Sequence, residues 1–236
     1  MSKQVNQQKH HAGTAQVTFH YYVPLAMLFA SLLIAANVLA QKLIAVGAYD
    51  VTAASIIYPM TYVLADVLTE VYGYNNFRRV IWGALICNIA FALLSEAAVL
   101  LPPSSIWHEQ EAFAAIMGHT PQIVFASMIS YLVGEFMNAY VLAKLKIKTQ
   151  GKYLWVRTIG STIVGQALDT VIFTAIAFYG FLNAEQMVRL MGTMYVLKVA
   201  YEVLVTPLVY ALTSFLKRRE HVDIFDKDTN FNPFGG

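Results

Sequence analysis

Six acidic side chains, Asp66, Glu70, Glu96, Glu135, Asp169 and Glu202, lie inside long apolar stretches, and Lys198 sits one helical turn before the last of them. A carboxylate in hydrocarbon costs about 2.5–3.5 kcal/mol even on the lenient insertion scale. Six facing lipid would cost about 15–20 kcal/mol, more than the ~5–15 kcal/mol that holds a typical fold together. The acids must therefore face one another, or a polar chamber, inside a bundle of helices. The apolar stretches themselves belong to a membrane protein: 58% of the 236 residues are hydrophobic and 13% charged, with a mean hydropathy of +0.54, where soluble domains carry about 25% charged residues.

A bilayer core of about 30 Å takes about 20 apolar residues per helix, and backbone groups in lipid must pair within the helix. Six such stretches are placed at roughly 22–45, 52–73, 79–101, 121–143, 155–182 and 186–216. The fold class expected is an all-α membrane protein with six transmembrane helices. Lys3, Lys9, Arg78, Arg79, Lys144, Lys146, Lys148, Lys152, Arg157, Lys217, Arg218, Arg219 and Lys227 fall at the N-terminus, the 2–3 and 4–5 loops and the C-terminus. That is 13 of the 16 Lys and Arg; Lys42, Arg189 and Lys198 are the rest. The positive-inside rule makes both termini cytoplasmic, which agrees in parity with six spans. Residues 1–20 read as a disordered cytoplasmic tail, 21–217 as the transmembrane domain, and 218–236 as a solvated cytoplasmic tail. A signal peptide at Val38-Leu39-Ala40 is rejected, because the apolar run is too long and cleavage breaks the charge parity. Cys87 is the single cysteine, so no disulfide forms within the chain.

Residues i, i+3, i+4 and i+7 share a helix face. The second span aligns Tyr62, Asp66, Thr69, Glu70 and Gly73; the fourth, Tyr131, Glu135 and Asn138; the fifth, Thr162, Gln166, Asp169, Thr170 and Phe173; the sixth, Tyr195, Lys198, Glu202 and Thr206. The first contributes Asn37 and Gln41, the third Asn88 and Ser95. A purely structural bundle manages with small residues and a hydroxyl or two, so a polar stripe on every span points to something polar that binds or crosses. Lys before Glu at i,i+4 is the weaker order on a helix, which assigns Lys198 and Glu202 other partners across the bundle. Asn37 and Asn88 serve equally well as amide glue between helices. Pro207 removes a backbone bond near residue 203, beside Glu202.

Enzyme chemistry is excluded on several counts. Gly160-Ser-Thr-Ile-Val-Gly165 imitates a phosphate loop but continues with Gln166 where Lys is required. There is no His-Glu-x-x-His and no nucleophile elbow, and of the two membrane aspartates, Asp66 and Asp169, the latter sits in Gln-Ala-Leu-Asp without the glycine-flanked context of a membrane aspartyl protease. His10 with His11, and His108, Glu109, Glu111 and His119 in the 102–120 loop, have no diagnostic metal spacing. No cofactor or metal is expected.

Ala65-Asp66-Val67-Leu68-Thr69-Glu70-Val71-Tyr72-Gly73-Tyr74 with Arg78-Arg79-Val80-Ile81-Trp82 resembles the signature of the queuosine precursor transporter family, six-span bacterial inner-membrane proteins. Gly165-Gln166-Ala167-Leu168-Asp169-Thr170 and Leu197 to Leu208, with Lys198, Glu202 and Pro207, resemble its later motifs. The resemblance spans about residues 22–216. It implies uptake of 7-deazaguanine bases, 7-cyano-7-deazaguanine or 7-aminomethyl-7-deazaguanine, with no nucleic-acid partner. Asp66, Glu70, Gln166, Asp169, Lys198 and Glu202 match motif positions; Glu135, Asn138 and Asn88 rest on periodicity, and Tyr62 is a candidate to stack on the flat ring. A carboxylate accepts the side-by-side N–H donors of a guanine-like edge. Lys198 or Gln166 donates to the ring acceptors. Proton coupling through Asp66 and Glu70, facilitated diffusion, and a substrate-binding subunit of an ATPase-coupled importer, docking through Ala26-x-x-x-Ala30 or Ala36-x-x-x-Ala40, all remain open. A homodimer is the commonest assembly.

Overall fold

A computed structural model describes residues 19–39, 42–46, 49–118, 121–180 and 182–235. The N-terminal tail up to residue 18, Gln41 and His119 lie outside the described residues. Among the described residues seven α-helices follow one another: α1 (Tyr22–Leu39), α2 (Tyr58–Tyr72), α3 (Tyr74–Leu100), α4 (Gln110–Met117), α5 (Pro121–Lys148), α6 (Leu154–Ala177) and α7 (Ala184–Glu220). Five of them, α1, α3, α5, α6 and α7, are long and apolar enough to cross a membrane.

The chain between α1 and α2 departs from the expected spans. The first helix stops at Leu39 instead of 45. An antiparallel hairpin follows, β1 (Leu43–Val46) and β2 (Tyr49–Thr52), with Leu43 opposite Thr52, and then a 3-10 turn, Ala53–Ile56. The segment is apolar, hence its assignment to two helix ends. Its β-branched Ile44, Val46, Val51 and Thr52 around Gly47 are a strand–turn–strand pattern.

Helix α2 has 15 residues, about 22 Å at 1.5 Å per residue, short of a bilayer core. It does not need lipid-facing length, because every residue from Thr61 to Gly73 is buried. The surrounding helices enclose it: Phe29 of α1, Phe77 and Ile81 of α3, Phe136 and Ala139 of α5 and Val209 of α7 join Val67, Leu68 and Val71 in one core. A helix sheathed on all sides can carry acids that a lipid-facing one cannot.

One end of the bundle is basic and densely bonded. Here α1, α3 and α6 begin and α2, α5 and α7 end. Glu220 at the close of α7 accepts from the backbone of His20 and Tyr21 and from the Tyr72 hydroxyl. Residues 221–235 then fold back as a strap instead of a solvated tail. Asp226, 3% exposed, accepts from Tyr74 N at 3.0 Å, an anion at the start of α3 where helix N–H groups favour one. Arg78 donates to the carbonyls of Asn230 and Asn232, and Trp82 Nε1 to that of Pro233. Phe231 packs on Tyr74 and Phe234 on Trp82. The left-handed φ of Gly73, +79°, turns the chain between α2 and α3, and a Cβ there would come within 2.7 Å of Ile224 in the strap.

Part of the 102–120 loop forms α4, tied to α3 by Gln110 Nε2 on Val99 O. Among the described residues no group of three or more His, Cys, Asp or Glu is placed to hold a metal ion.

Candidate functional site

Asp66 and Glu70 are one turn apart on α2 and are 1% and 0% exposed. Their surroundings are opposite. Arg157 of α6 grips Glu70 in a bidentate fork, Nε to Oε2 at 3.0 Å and Nη2 to Oε1 at 2.8 Å. Lys217 of α7 donates to Oε1 at 2.7 Å, and Lys146 of α5 lies 3.6 Å away while donating to the Glu70 carbonyl. Asp223 of the strap bridges Lys146 and Lys217 at 2.6 and 2.8 Å. Burial pushes the Asp223 carboxyl up, but the hydrogen bonds and charges of the two lysines outweigh it and hold it below the usual carboxylate range. Its share of strap docking is therefore complete above the ordinary carboxylate pKa and is lost only as pH falls through the lower, folded value. Four helix ends and the strap thus meet on Glu70. This carboxylate is fully occupied by the chain itself, which sets it apart from the expected cargo-binding set.

Asp66 is held by an amide and not by a cation. Asn138 Nδ2 of α5 donates to its Oδ1 at 3.2 Å, while Oδ2 accepts no hydrogen bond. Glu202 of α7 lies against Asp66 and is 0% exposed. Both of its carboxyl oxygens accept nothing. The Thr162 hydroxyl of α6 is a near neighbour outside hydrogen-bond geometry. Buried polar atoms are nearly always satisfied, so two adjoining carboxyls left without donors are a costly arrangement.

A second group adjoins α6 and α7. Lys198 pairs with Asp169 across the two helices, not with Glu202 on its own. The two side chains are 15% and 21% exposed. Glu135 of α5 is close enough to feel both charges, and its Oε2 is buried without a partner. Gln166 is buried one turn before this level on α6, Thr170 one residue after Asp169 has an unpartnered hydroxyl, and Tyr62 is buried one turn before Asp66.

The α5/α6 crossing positions both groups. A Cβ on Gly134 would lie 2.8 Å from the Asp169 Cβ, and one on Gly165 would lie 2.8 Å from the Asn138 Cβ and 2.9 Å from the Gly134 carbonyl. Each helix thus seats its polar residue on the other's glycine, the small-residue contact that lets membrane helices approach closely. Sequence reading missed Gly134 and Gly165 as positioning residues. Their signal is the repeated spacing, a glycine four residues before Asn138 and another four before Asp169. Overpacking costs about 1–3 kcal/mol. Gly165→Val is expected to lower the melting temperature in detergent and to reduce transport more than Gly160→Val does, since a Cβ at Gly160 meets only the tip of Leu145; equal effects would show that the crossing is not the constraint.

Asn88 is placed elsewhere. It accepts from Asn37 Nδ2 at 2.5 Å and donates to Ala84 O, an amide clasp between α1 and α3. Tyr131 donates to Ile81 O and Tyr195 to Ile163 O, both as interhelical ties. Two surface hollows lie away from the acids: one of about 270 Å³ between α1 and α3, bounded by Ala26, Ala30, Arg79 and Gly83, and one of about 530 Å³ beside Glu185 and Arg189.

Comparison with known proteins follows the same residues. Over 188 residues, covering 79% of this chain and 82% of the relative, the chain is 27% identical to the "Probable queuosine precursor transporter" of Bacillus subtilis (strain 168). Over 143 residues, 61% of this chain and 62% of the relative, it is 24% identical to the "Queuosine precursor transporter" of Escherichia coli (strain K12). No solved structure matches the chain significantly. The model of one family, described as "Putative vitamin uptake transporter", matches residues 52–212, a stretch that runs from the end of the hairpin through every acid discussed here except Glu220, Asp223 and Asp226. The chain is a multi-pass membrane transporter, not an enzyme, and belongs to that family.

Proposed function

We propose that this protein imports queuosine precursors, 7-cyano-7-deazaguanine and 7-aminomethyl-7-deazaguanine, across the bacterial cytoplasmic membrane. In this reading α2 is a short sixth crossing, completed by the hairpin and the 3-10 turn. The basic end, with the strap and both termini, faces the cytoplasm in keeping with the positive-inside rule.

The observation that carries the reading is the convergence of Glu135, Asp169 and Lys198 on three helices, half-buried and next to the enclosed Asp66–Asn138–Glu202 group. A guanine-like edge presents adjacent N–H donors that one carboxylate accepts together, and Asp169 or Glu135 suits that role. The Lys198 ammonium and the Gln166 amide donate to the ring carbonyl and nitrogen acceptors. An aminomethyl substituent adds a cation, which the surplus of carboxyls favours. Tyr62 offers a flat face on the enclosed side.

The test is rescue. Cells that can neither make nor import deazaguanines are given this chain and supplied with either base, and queuosine is measured in their transfer RNA. Restoration is expected with the wild type and a loss of about tenfold or more with Asp169→Asn, which removes one charge-assisted contact worth about 1.5–3 kcal/mol. Failure of the wild-type chain to restore queuosine with either base, while present in the membrane, would end the reading.

A further inference from the structure

Asn138 narrows what the enclosed carboxyls can hold. Its Nδ2 donates to Asp66, so the amide's orientation is set by its neighbour: only the NH₂ end can face an acceptor. The other end, Oδ1, is then committed to the interior. It belongs to a side chain 5% exposed and accepts no hydrogen bond. Together with Asp66 Oδ2 and both oxygens of Glu202, it makes four buried oxygens without a donor, contributed by α2, α5 and α7.

Three kinds of occupant could supply what these oxygens lack. A proton shared by the two carboxyls would serve them and do nothing for the amide oxygen. A purine must be reached by atoms with some access, and these residues are 0–5% exposed. A bare cation draws several oxygens at once and needs little space. Oxygen ligands alone select a hard cation. A divalent ion is a poor match, because calcium takes six to eight oxygens and magnesium keeps several waters, and among the described residues two carboxyls are the only acids that meet at Asn138. Two carboxyls with neutral amide and hydroxyl oxygens, Thr162 being the nearest of the latter, suit a monovalent ion.

We propose that Asp66, Asn138 and Glu202 form a sodium-binding subsite that couples cargo entry to the inward sodium gradient. The subsite has a direct mechanical link to the cargo residues: Asn138 rests on Gly165, and Asp169 rests on Gly134 one turn along the same crossing. Oxygens gathering around an ion pull on Asn138, and so on the helix pair that holds Glu135 and Asp169. The coupling role rests on the cargo reading above; the ion site itself does not.

Two measurements on the purified full-length chain test this. Melting in detergent is followed as sodium chloride replaces potassium chloride or choline chloride at constant ionic strength and pH. An ion that binds only the folded state raises the melting temperature with concentration. A rise specific to sodium is expected for the wild type and is expected to vanish in Asn138→Ala and Glu202→Gln. In proteoliposomes, uptake of 7-aminomethyl-7-deazaguanine is expected to be at least about tenfold faster with external sodium than with choline. Melting indifferent to sodium, or uptake equal in the two salts, would overturn the proposal. No uptake in any salt would sink the cargo reading instead, and the melting series would still decide the ion site.

Discussion

Glu202→Gln is expected to lower uptake by about 10–100-fold while leaving the melting temperature in sodium-free buffer unchanged or raised. The two halves of that outcome come from the same atoms. In the folded protein both carboxyl oxygens of Glu202 are buried, accept no hydrogen bond and abut a second carboxyl. An unsatisfied buried polar group costs about 1–3 kcal/mol, so a neutral amide of the same shape that can donate to Asp66 relieves cost. The carboxylate's contact with the coupling ion is lost in exchange. At about 1.5–3 kcal/mol for a charged contact, and tenfold per 1.4 kcal/mol, the loss falls in the stated range. A residue kept for stability behaves in the reverse way. Uptake by initial rate and melting by detergent thermal shift, taken on one preparation, read both.

Glu70→Ala is expected to destabilise the fold by about 3–5 kcal/mol, the usual result of leaving buried charges without their partner. Arg157 is 1% exposed, and removal of the carboxylate leaves its buried guanidinium without a counter-ion, whereas Lys146 keeps Asp223 and the Glu70 and Ile224 carbonyls. Lys217 loses its bond to the buried carboxylate and keeps only Asp223, which loosens the strap. The measurable outcome is a large fall in melting temperature together with faster proteolysis between residues 221 and 235. A Glu70→Ala protein that melts like the wild type would mean that the ion cluster is not what closes the basic end.

The contrast between these two variants also explains what was legible in the sequence. Helical spacing assigns a face, and the faces hold: Asp66, Asn138 and Glu202 come from three helices onto one spot, and Lys198 finds its partner across the bundle in Asp169. Spacing does not say which distant group folds onto a stripe. Glu70 shares the stripe of Asp66, yet its fate is decided by Arg157, Lys146 and Lys217, cations that first read as markers of orientation. Asn88 likewise meets Asn37, so it ties α1 to α3 instead of facing the acids. The last residues read as solvated because they are polar and end in glycine. Their anchors are single aromatics, Phe231 and Phe234, and backbone carbonyls that a polar composition hides. The hairpin reads as two helix ends because β-branched apolar residues have the same hydropathy in either structure.

The central claim is that neighbouring acids on α2 have opposite purposes, Glu70 holding the helices together and Asp66 serving the ion that drives the cargo. Asp66→Asn tests it most directly, by initial uptake rate and melting temperature on the same purified protein. Uptake at least about tenfold slower with a melting temperature equal to or above that of the wild type is the expected result. Wild-type uptake with a melting temperature lowered to the level of Glu70→Ala would contradict it.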